Sequence, residues 1–202
     1  AWNEWGPECL HRFNGMFAIG LWDRERKELH LVRDRMGIKP LYWMKGTFGF
    51  AFASEVKALL EIPGAPRRLN ERRLAHYLNF LWVPGPETLF DGIHKLEPGH
   101  HLIVKDGRVD ISRWWDVPVA EDETKTEAEW IEALRDLMDD SVRQRLVSDV
   151  PVGAFLSGGV DSSAIVAAMR RHTKGDLIAY AVGFRGQDQR YEFAPDDLRF
   201  AR

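Results

Sequence analysis

A short segment rich in glycine and serine, SGGVDSS at residues 157–163, carries the clearest sign of chemistry in this sequence. Gly158 and Gly159 have no Cβ, so the backbone can turn sharply and bring its N–H groups close to an anion. A helical pattern follows, and the start of a helix adds free N–H donors and the positive end of its dipole. Ser157, Ser162 and Ser163 add hydroxyl donors, so the segment is predicted to bind phosphate groups.

This phosphate-binding segment is not a Walker loop, because that motif requires a lysine and none is present here. Asp161 stands in the loop instead. A carboxylate beside phosphate is repelled unless a divalent cation lies between them, so Asp161 predicts Mg²⁺, which prefers carboxylate and phosphate oxygens. A Mg²⁺-bound pyrophosphate is a suitable leaving group for attack at the α-phosphate of ATP. The alternative interpretation is an ordinary glycine turn between a strand and a helix.

The elements around this segment predict an α/β domain. From Val150 the order is strand, glycine turn, helix and strand, which is typical of a βαβ unit in a parallel sheet. Upstream, Thr126 and Glu129 have the spacing of a capping box before a long helix. Its predicted apolar face consists of Trp130, Ile131, Leu134, Leu137, Met138, Val142 and Leu146. Residues 117–126 are polar and aperiodic and predict a linker.

The part before the linker has strand patterns joined by turns. Three hairpins are predicted, with turns at residues 24–27, Lys45-Gly46 and Asp106-Gly107. The last is the strongest hairpin signal, because a type I′ turn requires positive φ at both central residues. Ser54 and Asn70 are predicted to cap two helices, and Pro84 to stop the second one.

Composition excludes several classes of protein. The chain has 202 residues, of which 45% are hydrophobic and 29% charged, and its net charge of -3 does not indicate nucleic acid or a membrane surface as partner. No apolar run approaches the roughly 20 residues that span a bilayer, and no signal-peptide pattern is present. The single cysteine, Cys9, excludes an internal disulfide and is typical of a cytoplasmic protein.

The phosphate-binding segment resembles the PP-loop, SGGxDS, of the ATP pyrophosphatase family, whose members adenylate a carboxylate or carbonyl oxygen and release pyrophosphate. The segments FNGMFAIGLWD (13–23) and LVRDRMGIKPLYW (31–43) resemble the glutaminase domain of class II amidotransferases. Those domains are N-terminal-nucleophile hydrolases with two facing antiparallel sheets between helices. A glutaminase of this class followed by a PP-loop is the arrangement of the asparagine synthetase family.

The resemblance implies a fold and a domain order. Residues 1–116 are expected to be the C-terminal part of an α+β N-terminal-nucleophile hydrolase-like glutaminase domain. Residues 117–126 form the linker, and residues 127–202 the N-terminal part of an α/β PP-loop domain with a parallel sheet. Because the sequence starts at Ala1 without a Met and ends within an element, we expect an internal fragment, inactive by itself.

Site residues follow from the same resemblance. Asp34 is expected to bind the α-amino group of glutamine, and the alternative is a solvated charge. Leu156 and Val182 are expected to hold adenine, and the alternative for both is sheet core. The residues expected to bind ATP are Leu156, Ser157, Gly158, Gly159, Asp161, Ser162 and Val182, with Asp161 also holding Mg²⁺.

The catalytic nucleophile of the family is an N-terminal Cys whose own amino group acts as base. Ala1 does not match it. Cys9 lies in an apolar helical pattern and is interpreted as a core residue, so no catalytic residue is predicted within the chain. His100 and His101 are adjacent in a strand, point to opposite faces and cannot share a metal.

The function that the resemblance implies is ATP-dependent synthesis of asparagine from aspartate, with ammonia from glutamine hydrolysis. The reaction passes through β-aspartyl-AMP and releases AMP and pyrophosphate. Glutamine, aspartate and ATP are the expected small-molecule partners, and a homodimer is left open. Two alternatives remain: a related PP-loop amide synthetase with another carboxylate acceptor, and a non-catalytic glutaminase-like module.

Overall fold

The protein is described by a computed structural model that covers residues 1–183. The chain forms two compact units, Ala1–Val119 and Ala120–Arg202. Within the described residues, no helix has both the length and the apolar character needed to cross a membrane.

The first unit is built mainly from antiparallel strands. Its elements are α1 (Trp2–Trp5), a 3-10 helix (Gly6–Arg12), β1 (Ala18–Asp23), β2 (Glu28–Arg33), β3 (Tyr42–Gly46), β4 (Gly49–Ala53), α2 (Val56–Leu60), α3 (Glu71–Phe80), β5 (Ile93–Lys95), β6 (His100–Lys105) and β7 (Arg108–Arg113). One sheet has the strand order β1-β2-β6-β7 and the other β4-β3-β5, and every pairing is antiparallel.

The two sheets of the first unit pack against each other, with helices outside. Successive side chains of a strand point to opposite faces, and side chains on both faces of β2 are packed against other elements. Leu31 faces the second sheet in a cluster that includes Leu102 and, partly buried, Trp43. Val32 packs on the 3-10 helix, and α2 covers the outer face of the second sheet through Leu59. The expected arrangement of facing antiparallel sheets between helices is confirmed here.

Two of the predicted local signals are correct in position. Asp106 and Gly107 form the turn between β6 and β7, with φ of 48° and 72°. Asn70 stands at the N-cap of α3, although its side chain makes no capping hydrogen bond. The helix ends at Leu81 in the left-handed conformation, before the proline predicted to stop it.

Two other local predictions are wrong. The strand β3 continues through Lys45 to Gly46, so the turn of the second hairpin lies at residues 47–48. Pairing of Gly46 with Gly49 fixes this register, which a lysine-glycine pair alone does not specify. Ser54 does not cap α2, because the N-cap of that helix is Glu55, without a side-chain capping bond.

The second unit contains the predicted strand, helix and strand. Its elements are α4 (Glu127–Arg145), β8 (Gly153–Phe155), α5 (Val160–His172) and β9 (Ile178–Tyr180). The strands β8 and β9 are parallel, as the βαβ pattern predicted, and Phe155 pairs with Tyr180. The predicted second strand extended to Phe184, which lies outside the described residues, as does the remainder of the proposed domain up to residue 202.

The helix α4 begins as predicted. Thr126 and Glu129 form a reciprocal capping box, in which the Thr126 N–H donates to Glu129 Oε2 at 2.7 Å. Its apolar face is buried only near the C-terminal end, where Val142 packs with Ala168 and Met169 of α5. The predicted face residues that precede this end of the helix, Trp130, Ile131, Leu134 and Leu137, are 42–66% exposed.

Candidate functional site

The predicted phosphate-binding loop leaves the carboxyl end of β8 and enters α5. The Leu156 N–H donates to the Tyr180 carbonyl at 2.8 Å, which ties the start of the loop to the end of β9. Gly158 has φ of 79°, a conformation that glycine adopts without the steric penalty of a Cβ. Gly159 is the N-cap of α5 and brings no side chain to cap the helix. The first-turn N–H groups of α5 are thus left to an external acceptor, as an anion site requires.

Two of the three predicted serines, Ser157 and Ser162, lie together within the loop. Ser162 Oγ accepts the Ser157 N–H at 3.3 Å and donates to the Gly159 carbonyl at 3.2 Å. The two hydroxyl oxygens are 3.1 Å apart. The loop is therefore a closed turn held by its own side chains, with Gly158 at its centre.

Asp161 is exposed at the second position of α5. It lines a cavity of about 590 Å³ between α4, β8 and α5, whose wall is otherwise mostly apolar and also includes Arg145. Among residues 1–183, no group of three or more His, Cys, Asp or Glu side chains is placed to hold a metal ion. This donor set fits Mg²⁺ only in the way that nucleotide enzymes use it, with one carboxylate and the remaining ligands from phosphate and water.

Leu156 and Val182 follow adjacent parallel strands at their carboxyl ends, which is where ligands bind in open α/β sheets. Leu156 is half-buried, whereas Val182 lies two residues beyond β9 and is 62% exposed. Val182 is therefore not a core residue of the described sheet. Leu156 directly precedes the phosphate-binding loop, and Val182 follows Tyr180, whose carbonyl accepts the Leu156 N–H.

Asp34, which was predicted to bind the α-amino group of glutamine, is buried among backbone N–H groups. The side chain is 1% exposed, and its two carboxylate oxygens accept four backbone N–H groups. The donors are Phe17 (3.3 Å), Met36 (3.1 Å), Ile38 (3.0 Å) and Lys39 (2.9 Å). A carboxylate has about four lone-pair positions, and all are used. These four hydrogen bonds support a structural role for Asp34, and its contact with the α-amino group of glutamine stays a prediction.

The neighbouring Arg33 also forms hydrogen bonds to the backbone, as a donor. Its guanidinium donates to the carbonyls of Lys39 (2.9 Å), Gly37 (2.7 Å) and Leu96 (2.5 Å). Residues 33–39, here named the RD loop, connect the four-stranded to the three-stranded sheet. Arg33 donates to three backbone carbonyls and Asp34 accepts from four backbone N–H groups. These hydrogen bonds stabilise the RD loop, which connects the two sheets.

Cys9 is fully buried against Leu10 and Val32, so its predicted place in the core is confirmed. A buried histidine pair was not predicted. His30 Nδ1 lies 3.0 Å from His101 Nε2 across β2 and β6, and His30 Nε2 lies 3.4 Å from Glu28 Oε2. The pair depends on strand register between segments 71 residues apart, which no local pattern shows.

Because this histidine pair is buried, we expect the first unit to lose stability in acid. Burial, and then the neighbouring His30, lowers the pKa of His101 from 6.5 to about 4. Burial also lowers the pKa of His30, with Glu28 opposing. Because the folded values are depressed, the unfolded chain binds more protons below pH 6.5. The free energy of unfolding is therefore expected to be highest above pH 6.5 and to fall towards pH 4, with His101 accounting for a loss of about 3 kcal/mol.

The measurement is urea unfolding of the natural protein that contains this chain, between pH 7.5 and 4.5. In His101→Gln, the free energy of unfolding should fall less steeply as the pH is lowered. In His100→Gln, whose side chain lies on the opposite face of β6, this fall should be as steep as in the unsubstituted protein. An unaltered slope in His101→Gln would show that the buried pair is not its source.

Comparison with known proteins assigns the first unit to a family. The model described as "Glutamine amidotransferase domain" matches residues 1–115, and the chain belongs to that family. Residues 133–202 match the model described as "Asparagine synthase".

The relatives carry names that agree with both matches. The protein named asparagine synthetase [glutamine-hydrolyzing] 3 of Bacillus subtilis is 36% identical over 96% of this chain. The putative asparagine synthetase [glutamine-hydrolyzing] of Mycobacterium bovis is 39% identical over 91% of it. A protein of Gibberella zeae named Amidase chry2 is 34% identical over 85%. The chain spans 33%, 29% and 25% of these relatives, a third of their length or less.

Among solved structures, the glutamine phosphoribosylpyrophosphate amidotransferase of B. subtilis complexed with ADP and GMP is similar over 98% of this chain and 40% of its own. The identity is 14% and the TM-score 0.39.

Proposed function

We propose that the natural protein containing this chain synthesises asparagine from aspartate, with ammonia from glutamine hydrolysis, through β-aspartyl-AMP and with release of AMP and pyrophosphate. The observation that carries the proposal is the loop between β8 and α5. It combines a left-handed Gly158, an uncapped helix start and two hydroxyls at the carboxyl edge of a parallel sheet. The glutamine amidotransferase match ahead of it supports glutamine as nitrogen donor.

The proposed ATP site consists of that loop and the neighbouring strand ends. Its residues are Leu156, Ser157, Gly158, Gly159, Asp161, Ser162 and Val182. Backbone N–H groups at the start of α5 face the pyrophosphate part of ATP, and Leu156 and Val182 contact adenine. Mg²⁺, held by Asp161 and phosphate oxygens, would neutralise the charge of the leaving pyrophosphate.

We place the domain boundary in residues 117–126, supported by the two units and the two family matches. We place the reaction in the cytoplasm, in keeping with the single buried cysteine.

A second candidate is a related amide synthetase with another carboxylate acceptor. It is favoured by one observation: similarity to this chain is not confined to proteins named asparagine synthetase.

An acceptor panel separates the two candidates. The natural protein is incubated with glutamine, ATP and Mg²⁺ and with aspartate, glutamate, succinate or β-alanine, and pyrophosphate release and amide products are measured. We expect pyrophosphate only with aspartate, together with asparagine. Release with another carboxylate and not with aspartate would support the second candidate, and no release with any would contradict the ATP site.

A further inference from the structure

A single carboxylate of α4 holds the carboxyl-terminal end of α5. Asp139 Oδ1 accepts two hydrogen bonds from Arg171, from Nε at 2.9 Å and from Nη2 at 2.6 Å. Its second oxygen, Oδ2, lies 2.6 Å from Nε2 of His172. Arg171 and His172 stand in the last turn of α5, where positive charge also suits the helix dipole. These contacts, here named the Asp139 clamp, use both oxygens of Asp139 to fix one end of α5.

The contacts between α4 and α5 are concentrated near the Asp139 clamp. Val142 packs with Ala168 and Met169, which lie in the same half of α5 as the clamp. Towards the start of α5, the cavity of about 590 Å³ separates that helix from α4, and Ile165 is 43% exposed. Within the described residues, α4 thus holds α5 by its carboxyl-terminal half.

The direction in which α5 runs decides where the phosphate-binding loop lies. Ser157 of the loop contacts Ser162 in the first turn of α5, so the loop and the helix start are joined. The helix has 13 residues, and at a rise of about 1.5 Å per residue it is about 20 Å long. A tilt of about 5° at the clamp therefore moves the loop by more than about 1 Å, a displacement large enough to weaken its contacts with a ligand. The strand ends are held separately, by the bond from the Leu156 N–H to the Tyr180 carbonyl.

We propose that Asp139 is a positioning residue of the ATP site. It fixes the direction of α5 and so places the loop N–H groups correctly relative to the strand ends that contact adenine. Asp139 acts through α5 and not on the nucleotide. This inference rests on the proposed function and adds a residue outside the loop to those that determine ATP binding.

The substitution Asp139→Ala in the natural protein removes the clamp and leaves a strong helix former in α4. We expect the KM for ATP to rise about fivefold and kcat to change less than about twofold, because an interaction shared by the ground state and the transition state is lost. Asp139→Glu keeps the carboxylate and should retain most of the affinity. Asp136→Ala is the matched control, because Asp136 lies one turn earlier on α4 and its carboxylate has no hydrogen bond or ion pair within residues 1–183.

The decisive measurement is the Kd for ATP with Mg²⁺, determined by calorimetric titration without glutamine or aspartate, with the Tm measured on the same preparations. Asp139→Ala should raise this Kd about fivefold, with Asp136→Ala unchanged. A lowered Tm with an unchanged Kd would show that the clamp is only structural and would overturn the proposal. Because the titration needs no acceptor, it decides the role of Asp139 even if asparagine is not the product. Absence of ATP binding by the unsubstituted protein would overturn this proposal and the ATP site together.

Discussion

Asp161→Asn in the natural protein is expected to reduce aspartate-dependent pyrophosphate release by at least about 100-fold, while glutamine hydrolysis remains nearly intact. Asp161 is the carboxylate within the phosphate-binding loop, and asparagine keeps its shape but removes the charge that Mg²⁺ requires. Metal stabilisation of the leaving group contributes several kcal/mol to the transition state, which corresponds to this loss of rate.

The measurement is the rate of pyrophosphate release at a series of Mg²⁺ concentrations, with glutamate formation followed in parallel. Asp149→Asn is the matched control, because Asp149 is also exposed and precedes the same strand but lies outside the loop. Near-normal pyrophosphate release by Asp161→Asn at all Mg²⁺ concentrations would remove Asp161 from the site.

Asp34→Ala is expected to destabilise the first unit by about 3–5 kcal/mol. The substitution leaves four backbone N–H groups without their acceptor in a site that is 1% exposed. Unsatisfied buried donors each cost about 1–3 kcal/mol, reduced where the RD loop can open to water. In a unit of this size the loss corresponds to roughly 10 °C or more in Tm.

Thermal unfolding and the KM for glutamine, measured on the same preparation, distinguish a structural role from a substrate contact. Asp23→Ala is the control. Asp23 also accepts backbone N–H groups in a turn, from Glu25 and Arg26, but that turn is exposed, and we expect a loss below about 1 kcal/mol. An unchanged Tm with a greatly raised KM for Asp34→Ala would instead return the residue to the glutamine pocket.

Short-range signals predicted those elements whose geometry is decided within a few residues. Asp106-Gly107 specifies its own backbone conformation, and Thr126 with Glu129 satisfies its own helix end. The strand, glycine turn and helix around Gly158 also follow from local pattern and a right-handed connection. The Asp106-Gly107 turn and the capping box involve no distant partner, which is why a local pattern is enough to predict them.

Three further features, unlike the local turn and cap errors, depend on distant partners. The role of Asp34 could not be inferred, because its donors include Phe17, which is 17 residues away, and its burial follows from the packing of two sheets. The His30–His101 contact requires the register of β2 against β6. The apolar period of α4 predicts a face, yet it cannot show which part of that face is covered.

Transfer of oxygen from aspartate to AMP tests the central claim most directly. Aspartate labelled with ¹⁸O in its side-chain carboxylate is supplied to the natural protein with glutamine, ATP and Mg²⁺, and the products are analysed by mass spectrometry and ³¹P NMR. If the loop around Gly158 binds ATP for attack at the α-phosphate, one ¹⁸O atom appears in AMP for each asparagine formed, with unlabelled pyrophosphate. Label in inorganic phosphate together with ADP, or asparagine formation with no label in AMP, would contradict the account.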